Sequence, residues 1–126
     1  MRKSHKIAIL GTGFIADFYT ATLHSQRTLD RVHTVYSRSI DKGNQFKEKW
    51  SISNCTDDMY AAIHDNDVDT VIIGLPNHLH KDAVLAAAEA GKSILCTKPL
   101  GRTSIEALEM LDAVEKQGVF NGYLED

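Results

Sequence analysis

The chain has 126 residues, enough for one domain around one core, and its composition (43% hydrophobic, 25% charged) is that of an ordinary globular protein. A formal net charge of -3 argues against a surface built to grip nucleic acid, and no apolar run approaches the length of a membrane span. The basic start at Arg2 and Lys3 leads into an apolar stretch too short for a signal peptide, so that stretch reads as a first strand.

The pattern alternates short β-type runs with helical stretches. Lys6 to Leu10 is a compact apolar run ending at Gly11. Ile15, Phe18, Tyr19, Thr22 and Leu23 then recur at helical spacing. Val32 to Ser37 reads as a second strand, and Ile40 to Trp50 as a polar, exposed helix in which Trp50 is a packing anchor. Ser51 to Cys55 is expected to form a short third strand. Asp57 is the expected N-cap of a helix running to about Ile63. Thr70 to Gly74 is apolar and β-branched, a buried strand. Asn77 to Ala90 is helical in composition and closes at Gly91. Ser93 to Thr97 is a fifth strand. Thr103 and Glu106 form a capping-box pair before the helix of Ala107, Leu108, Leu111 and Val114. Gly118 closes that helix, and Val119 to Leu124 starts a last strand. Strand–helix alternation of this kind implies an α/β fold of Rossmann type: a doubly wound parallel sheet in a three-layer α/β/α sandwich.

Gly11-Thr12-Gly13-Phe14-Ile15-Ala16 reads G-x-G-x-x-A, placed after a strand and at the opening of a helix. Gly11 allows the tight turn, Gly13 lets a pyrophosphate approach the backbone, and Ala16 lets the helix pack close to the strand. The first helical N–H groups, around Phe14 and Ile15, then face the phosphates. A methyltransferase loop, usually G-x-G-x-G with an acidic residue closing the second strand, fits less well, since Ile15 holds the fifth position.

The second strand ends Tyr36-Ser37-Arg38, where an NAD-binding domain commonly carries a carboxylate for the ribose hydroxyls. Ser37 can donate to a 2′-phosphate, Arg38 can pair with it or stack on adenine, and Lys42 lies one helical turn on. These residues favour NADP over NAD, with Asp41 as the opposing charge.

Two further segments, Gly74-Leu75-Pro76-Asn77-His78-Leu79-His80 and Cys96-Thr97-Lys98-Pro99-Leu100-Gly101, combine with the glycine turn. Together they resemble the Gfo/Idh/MocA family, oxidoreductases related to glucose-fructose oxidoreductase and inositol dehydrogenase, over the whole chain. In that family a Pro-Asn-x-x-His pattern ends the fourth strand. Pro76, Asn77 and His80 match it, and the resemblance implies that they and Leu75 line the cofactor site near the nicotinamide ribose. A Glu-Lys-Pro pattern ends the fifth strand. Lys98 and Pro99 match, and the family's proline is commonly preceded by a cis bond. The resemblance implies that Lys98 sits beside nicotinamide and substrate hydroxyl and takes part in catalysis. Thr97 stands where the family has glutamate, so Lys98 is expected to have a different partner.

The resemblance further implies hydride transfer to or from a sugar, cyclitol or related substrate. It implies a second, substrate-binding domain beyond residues 1–126, which are read as a single dinucleotide-binding domain. This stretch alone is then expected to bind cofactor without turnover and to self-associate along its last strand. A non-catalytic dinucleotide sensor is the alternative. No metal site is expected: His78 and His80 lack partner ligands, and Asp65, Asp67 and Asp69 lack the glycine and distal glutamate of a calcium loop. Cys55 and Cys96, with no CxxC, suit reduced thiols in a cytoplasmic protein.

Overall fold

A computed structural model of the chain describes residues 4–27, 29–98 and 100–124. Six parallel strands, β1 (His5–Leu10), β2 (Asp30–Tyr36), β3 (Asn54–Thr56), β4 (Thr70–Ile73), β5 (Ser93–Thr97) and β6 (Asn121–Leu124), form one sheet in the order β3-β2-β1-β4-β5-β6. Among the described residues, five helices connect them: α1 (Phe14–Gln26), α2 (Ile40–Trp50), α3 (Met59–Ile63), α4 (His80–Glu89, entered through a 3-10 turn at Asn77–Leu79) and α5 (Ser104–Gln117). The chain winds outward from β1 through β2 to β3, then returns to build β4, β5 and β6 on the other side. This order opens a crevice between β1 and β4 at the carboxyl ends of the strands, where such sheets place their ligands.

Both faces are covered, which is why the central strands are almost wholly apolar. Ala8, Leu10, Val71, Ile73, Ile94 and Cys96 pack against α3, α4 and α5 through Ile63, Ala83, Val84, Ala87, Met110 and Val114. Ile7, Ile9 and Ile72 point the opposite way, towards Ala16 of α1 and Phe46 of α2. Each fully buried Ile, such as Ile9 or Ile73, contributes about 1.5–3 kcal/mol. In β2 the register slips by one residue: Ile7 pairs with Val32 but Ala8 with Thr34, leaving His33 as the extra residue of a bulge. Val32 and Val35, three apart, therefore reach the same core.

Several local expectations shift. In α1 the fully buried residues are small, Ala16 and Thr20, while Phe14 and Phe18 face outward, because a helix opening at a tight turn must lie close to its sheet. Ser51 adopts a left-handed conformation (φ 54°) that ends α2, so the third strand starts only at Asn54. The N-cap of α3 is Asp58, not Asp57: the Thr56 hydroxyl accepts from Asp58 N–H, and the Asp58 carboxylate accepts from Tyr60 N–H and Ala61 N–H. The capping box before α5 is half formed. Thr103 Oγ accepts from Glu106 N–H, but the Glu106 carboxylate accepts from Arg102 instead, both backbone and guanidinium.

Candidate functional site

The glycine turn lies at the tip of β1. Gly11 has φ +111°, and a Cβ there would sit 2.5 Å from the Gly74 carbonyl oxygen, so this position is closed to other residues by conformation and by space. Gly74 N–H donates to Leu10 O at 2.9 Å, which draws the tip of β4 against that of β1. A Cβ added at Gly74 would lie 3.8 Å from Ala16 Cβ and from Ala16 N, so α1 runs close to the β4 tip at its small residue. Gly13 differs. It is exposed, it begins α1 with no side-chain cap, and a Cβ there would meet nothing within 4 Å. The packing of this chain gives no reason for glycine at that position. An anion approaching the backbone N–H groups of Phe14 and Ile15 does.

Two hollows flank the turn. One, of about 420 Å³, is lined by Thr12, Gly13, Asp17, Lys42, Gln45, Phe46 and Lys49. Asp17 accepts from Lys49 Nζ and Trp50 Nε1, both at 2.9 Å, which ties α1 to the end of α2. The Lys49 hydrogen bond, aided by Trp50, holds the Asp17 carboxyl below its usual range against the opposing effect of burial. Lys42, which lines this hollow, is exposed, and so is Arg38, two residues past the end of β2. Ser37 is not: it is buried, its Oγ accepts from Ser39 N–H at 3.3 Å, and Thr12 Oγ1 lies 3.5 Å away. Ser37 thus shapes the turn after β2 and leaves Arg38 and Lys42 to meet solvent.

The second hollow, about 140 Å³, lies at the β1–β4 crevice between Ile15, Tyr19, Gly74, Leu75, Thr97, Lys98 and Leu124. Lys98 is exposed at the end of β5, its N–H donating to Leu124 O at 3.2 Å. The Thr97 hydroxyl donates to Ile73 O at 2.8 Å and is spent on joining β4 to β5. Tyr19 and Leu124 were not singled out by motif. The available signal was spacing, since Tyr19 lies four residues after Ile15 and so on the same helix face.

His80 is fully buried rather than lining a hollow. Its Nε2 lies 2.7 Å from Leu75 O and its Nδ1 3.5 Å from Cys96 Sγ. Burial pushes the Cys96 thiol up to about 12, so the sulfur keeps its proton. Asn77 is half-buried, with its Oδ1 buried and lacking a hydrogen-bond partner among the described residues. Pro76 is exposed. Pro99 lies outside the described residues. The open cradle at Gly13 and the orphaned Asn77 oxygen both fit a bound dinucleotide spanning the two hollows.

Two other features lie apart from this edge. A concavity of about 520 Å³ runs over the sheet face beside Ile7, Ile72, Leu95 and Phe120, and its polar groups His5, Arg27 and Asp30 form ion pairs centred on Asp30. His33, Asp65 and Asp67 converge, with ligand atoms within 4.8 Å of one another. Both Asp65 carboxylate oxygens are already engaged, by the Thr34 hydroxyl and by Asp67 N–H.

A parallel sheet of order 321456 with a glycine turn at its switch point defines a dinucleotide-binding domain. The profile of the oxidoreductase family with the NAD-binding Rossmann fold, Gfo/Idh/MocA, matches residues 5–123, and the chain belongs to that family. It is 32% identical over 113 residues to trans-1,2-dihydrobenzene-1,2-diol dehydrogenase of Mus musculus, covering 89% of this chain and 34% of that one. It is 31% identical over 116 residues to the NADP(+)-dependent scyllo-inositol 2-dehydrogenase of Bacillus subtilis, covering 90% and 34%. Among solved structures, a levoglucosan dehydrogenase in complex with NADH and L-sorbose superposes with a TM-score of 0.82 at 28% identity, covering 95% of this chain and 34% of that one. The chain thus spans about a third of the length of these relatives. Among the described residues, no helix is long and apolar enough to cross a membrane.

Proposed function

We propose that residues 1–126 form the NAD(P)-binding domain of a dehydrogenase acting on a sugar, cyclitol or related hydroxyl–carbonyl pair, with NADP preferred. The observation that carries this reading is the shared edge. The open cradle over Gly13 and the Lys98 hollow lie on either side of one turn, at the switch point of the sheet. Gly11, Gly13, Phe14 and Ile15 take the pyrophosphate. Arg38 and Lys42 meet the 2′-phosphate, with Ser37 behind them, and Leu75, Pro76, Asn77 and Thr97 frame the nicotinamide end. When bound, the nicotinamide supplies the hydride acceptor or donor. Lys98 is the catalytic residue. Its ammonium orients the reacting oxygen and moves a proton at Nζ while Ile15, Leu75 and Leu124 exclude water from one side. Inositol and levoglucosan dehydrogenases among the relatives support a polyhydroxylated substrate.

Substrate binding requires residues beyond this domain, so the domain alone binds cofactor without turnover. Its two unpaired cysteines suit a reducing cytoplasm. The edge strand β6 and the exposed Leu108, Leu111 and Tyr123 near it favour self-association. The second reading, a dinucleotide sensor without chemistry, is favoured by Thr97, whose hydroxyl is committed to Ile73 O where the family has a carboxylate next to the lysine.

Calorimetric titration with NADP and NAD, alongside Arg38→Ala, tests the main reading. Micromolar NADP binding is expected, weakened about tenfold or more by the substitution, with NAD binding little changed. Equal loss for both cofactors removes the NADP preference, and no binding of either overturns the reading. Hydride transfer by the domain within a longer chain, lost in Lys98→Ala with cofactor binding retained, separates the dehydrogenase from the sensor.

A further inference from the structure

We propose that His80 is a positioning residue, locked as the neutral Nε2–H tautomer, which fixes the spacing between the tips of β4 and β5 and so the width of the Lys98 hollow. The inference rests on the reading that this hollow receives the nicotinamide end.

The chemistry of its neighbours assigns the tautomer. Leu75 O can only accept, so at 2.7 Å the His80 Nε2 carries the hydrogen. In a neutral ring Nδ1 is then an acceptor, and what faces it is the Cys96 sulfur, which burial keeps protonated. The single thiol proton is shared between His80 Nδ1 at 3.5 Å and Thr97 O at 3.4 Å. The imidazole thus joins the backbone one residue beyond Gly74 in the β4 turn to the side chain two residues before Lys98. The Thr97 hydroxyl adds a second tie between the same two strand ends through Ile73 O. Leu75, held by His80, and Thr97, held by Ile73, are both walls of the hollow. A buried imidazole bonded at both nitrogens has no freedom to rotate. Its effect on a ligand is therefore transmitted through Leu75 and the β5 tip, not by contact.

The test compares His80→Leu, which removes both bonds, with His80→Gln, whose side-chain N–H can still reach Leu75 O. Binding of NADPH is measured against binding of adenosine 2′,5′-bisphosphate, which lacks the nicotinamide. His80→Leu is expected to weaken NADPH about tenfold and the bisphosphate less than twofold, while His80→Gln recovers most of the NADPH affinity. Equal loss for both ligands, or unchanged NADPH binding in a folded His80→Leu protein, overturns the proposal. Should His80→Leu fail to melt cooperatively, His80→Gln decides: NADPH binding within threefold of the parent supports the role, and a tenfold loss from a folded protein overturns it. Long-range ¹H–¹⁵N spectra of the parent test the tautomer without any ligand. A proton on Nε2 alone is expected, and one on Nδ1 or on both nitrogens overturns the proposal. If the parent binds neither ligand, the cofactor reading fails, and the imidazole spectra alone then decide the His80 proposal: a proton on Nε2 only supports it, and any other pattern overturns it.

Discussion

At the scale of single residues, the two turn glycines carry different burdens. Gly11 is closed by a left-handed backbone and by the Gly74 carbonyl 2.5 Å from any added Cβ, so Gly11→Ala should destabilise the fold by at least about 2 kcal/mol in urea titration. Gly13, with φ -79° and nothing within 4 Å of an added Cβ, should tolerate alanine to within about 1 kcal/mol. The same Gly13→Ala protein should lose most of its NADP affinity, a split between stability and binding that a purely structural glycine would not give. His24 offers a residue-scale pH effect. Its Nε2 accepts Val32 N–H at 3.1 Å, which requires an unprotonated nitrogen. Burial, foremost, and the nearby Arg31 charge hold its pKa below the ordinary 6.5. A lowered folded value means that this contribution to stability is present above about pH 6.5 and is lost as pH falls through the folded value. Urea midpoints should therefore fall between about pH 7.5 and pH 5.5, and the fall should shrink in His24→Gln, whose amide oxygen accepts the same N–H at both pH values.

Among the elements, α5 is the helix with the most legible start. Thr103 caps it by accepting Glu106 N–H, and the Glu106 carboxylate is held down to about 2, first by the Arg102 side chain and then by its backbone N–H. Thr103→Ala should cost about 1 kcal/mol in thermal or chemical melts, with little effect on dinucleotide binding, because Thr103 lines neither of the two hollows that flank the glycine turn. α2 reads as polar along most of its length, yet it packs through Gly43, where a Cβ would lie 2.5 Å from Cys55 Sγ, and through Phe46. Its burial depends on two residues, which is why composition alone suggested an exposed helix. α1 shows the converse: Phe18 and Tyr19 recur at helical spacing, but Ala16 and Thr20 are its buried residues.

For the whole molecule, among the described residues the sheet ends at β6, which pairs with β5 on one side only. Next to it α5 exposes Ile105, Leu108 and Leu111, and β6 exposes Tyr123. An exposed edge beside apolar side chains offers unpaired backbone groups to another strand, and the proposed self-association predicts that in sedimentation velocity the s-value of the isolated chain rises with concentration. A strictly monomeric boundary across the range would count against this. The parallel order and the crevice at its switch point place the glycine turn, the Arg38 end of β2 and the Lys98 end of β5 along one rim, although these residues lie as much as 87 positions apart in sequence.

By itself the sequence determined the α/β alternation, the glycine turn and the family, because each rests on local patterns: apolar period, a glycine at a fixed offset and short motifs at strand ends. It also showed that β2 ends in Ser37 and Arg38 with no carboxylate, the ground for the proposed NADP preference. Only the tertiary structure decided which side chains face the rim. Ser37, expected to face a phosphate, and His80, which matches the Pro-Asn-x-x-His pattern, are both buried, with hydrogen bonds to Ser39 N–H and Leu75 O. Tyr19 and Leu124, which carry no motif, line the Lys98 hollow because helix phase and strand order bring them there. A motif fixes a residue's position along the chain, whereas solvent exposure is set by packing between elements distant in sequence, and no local pattern encodes that.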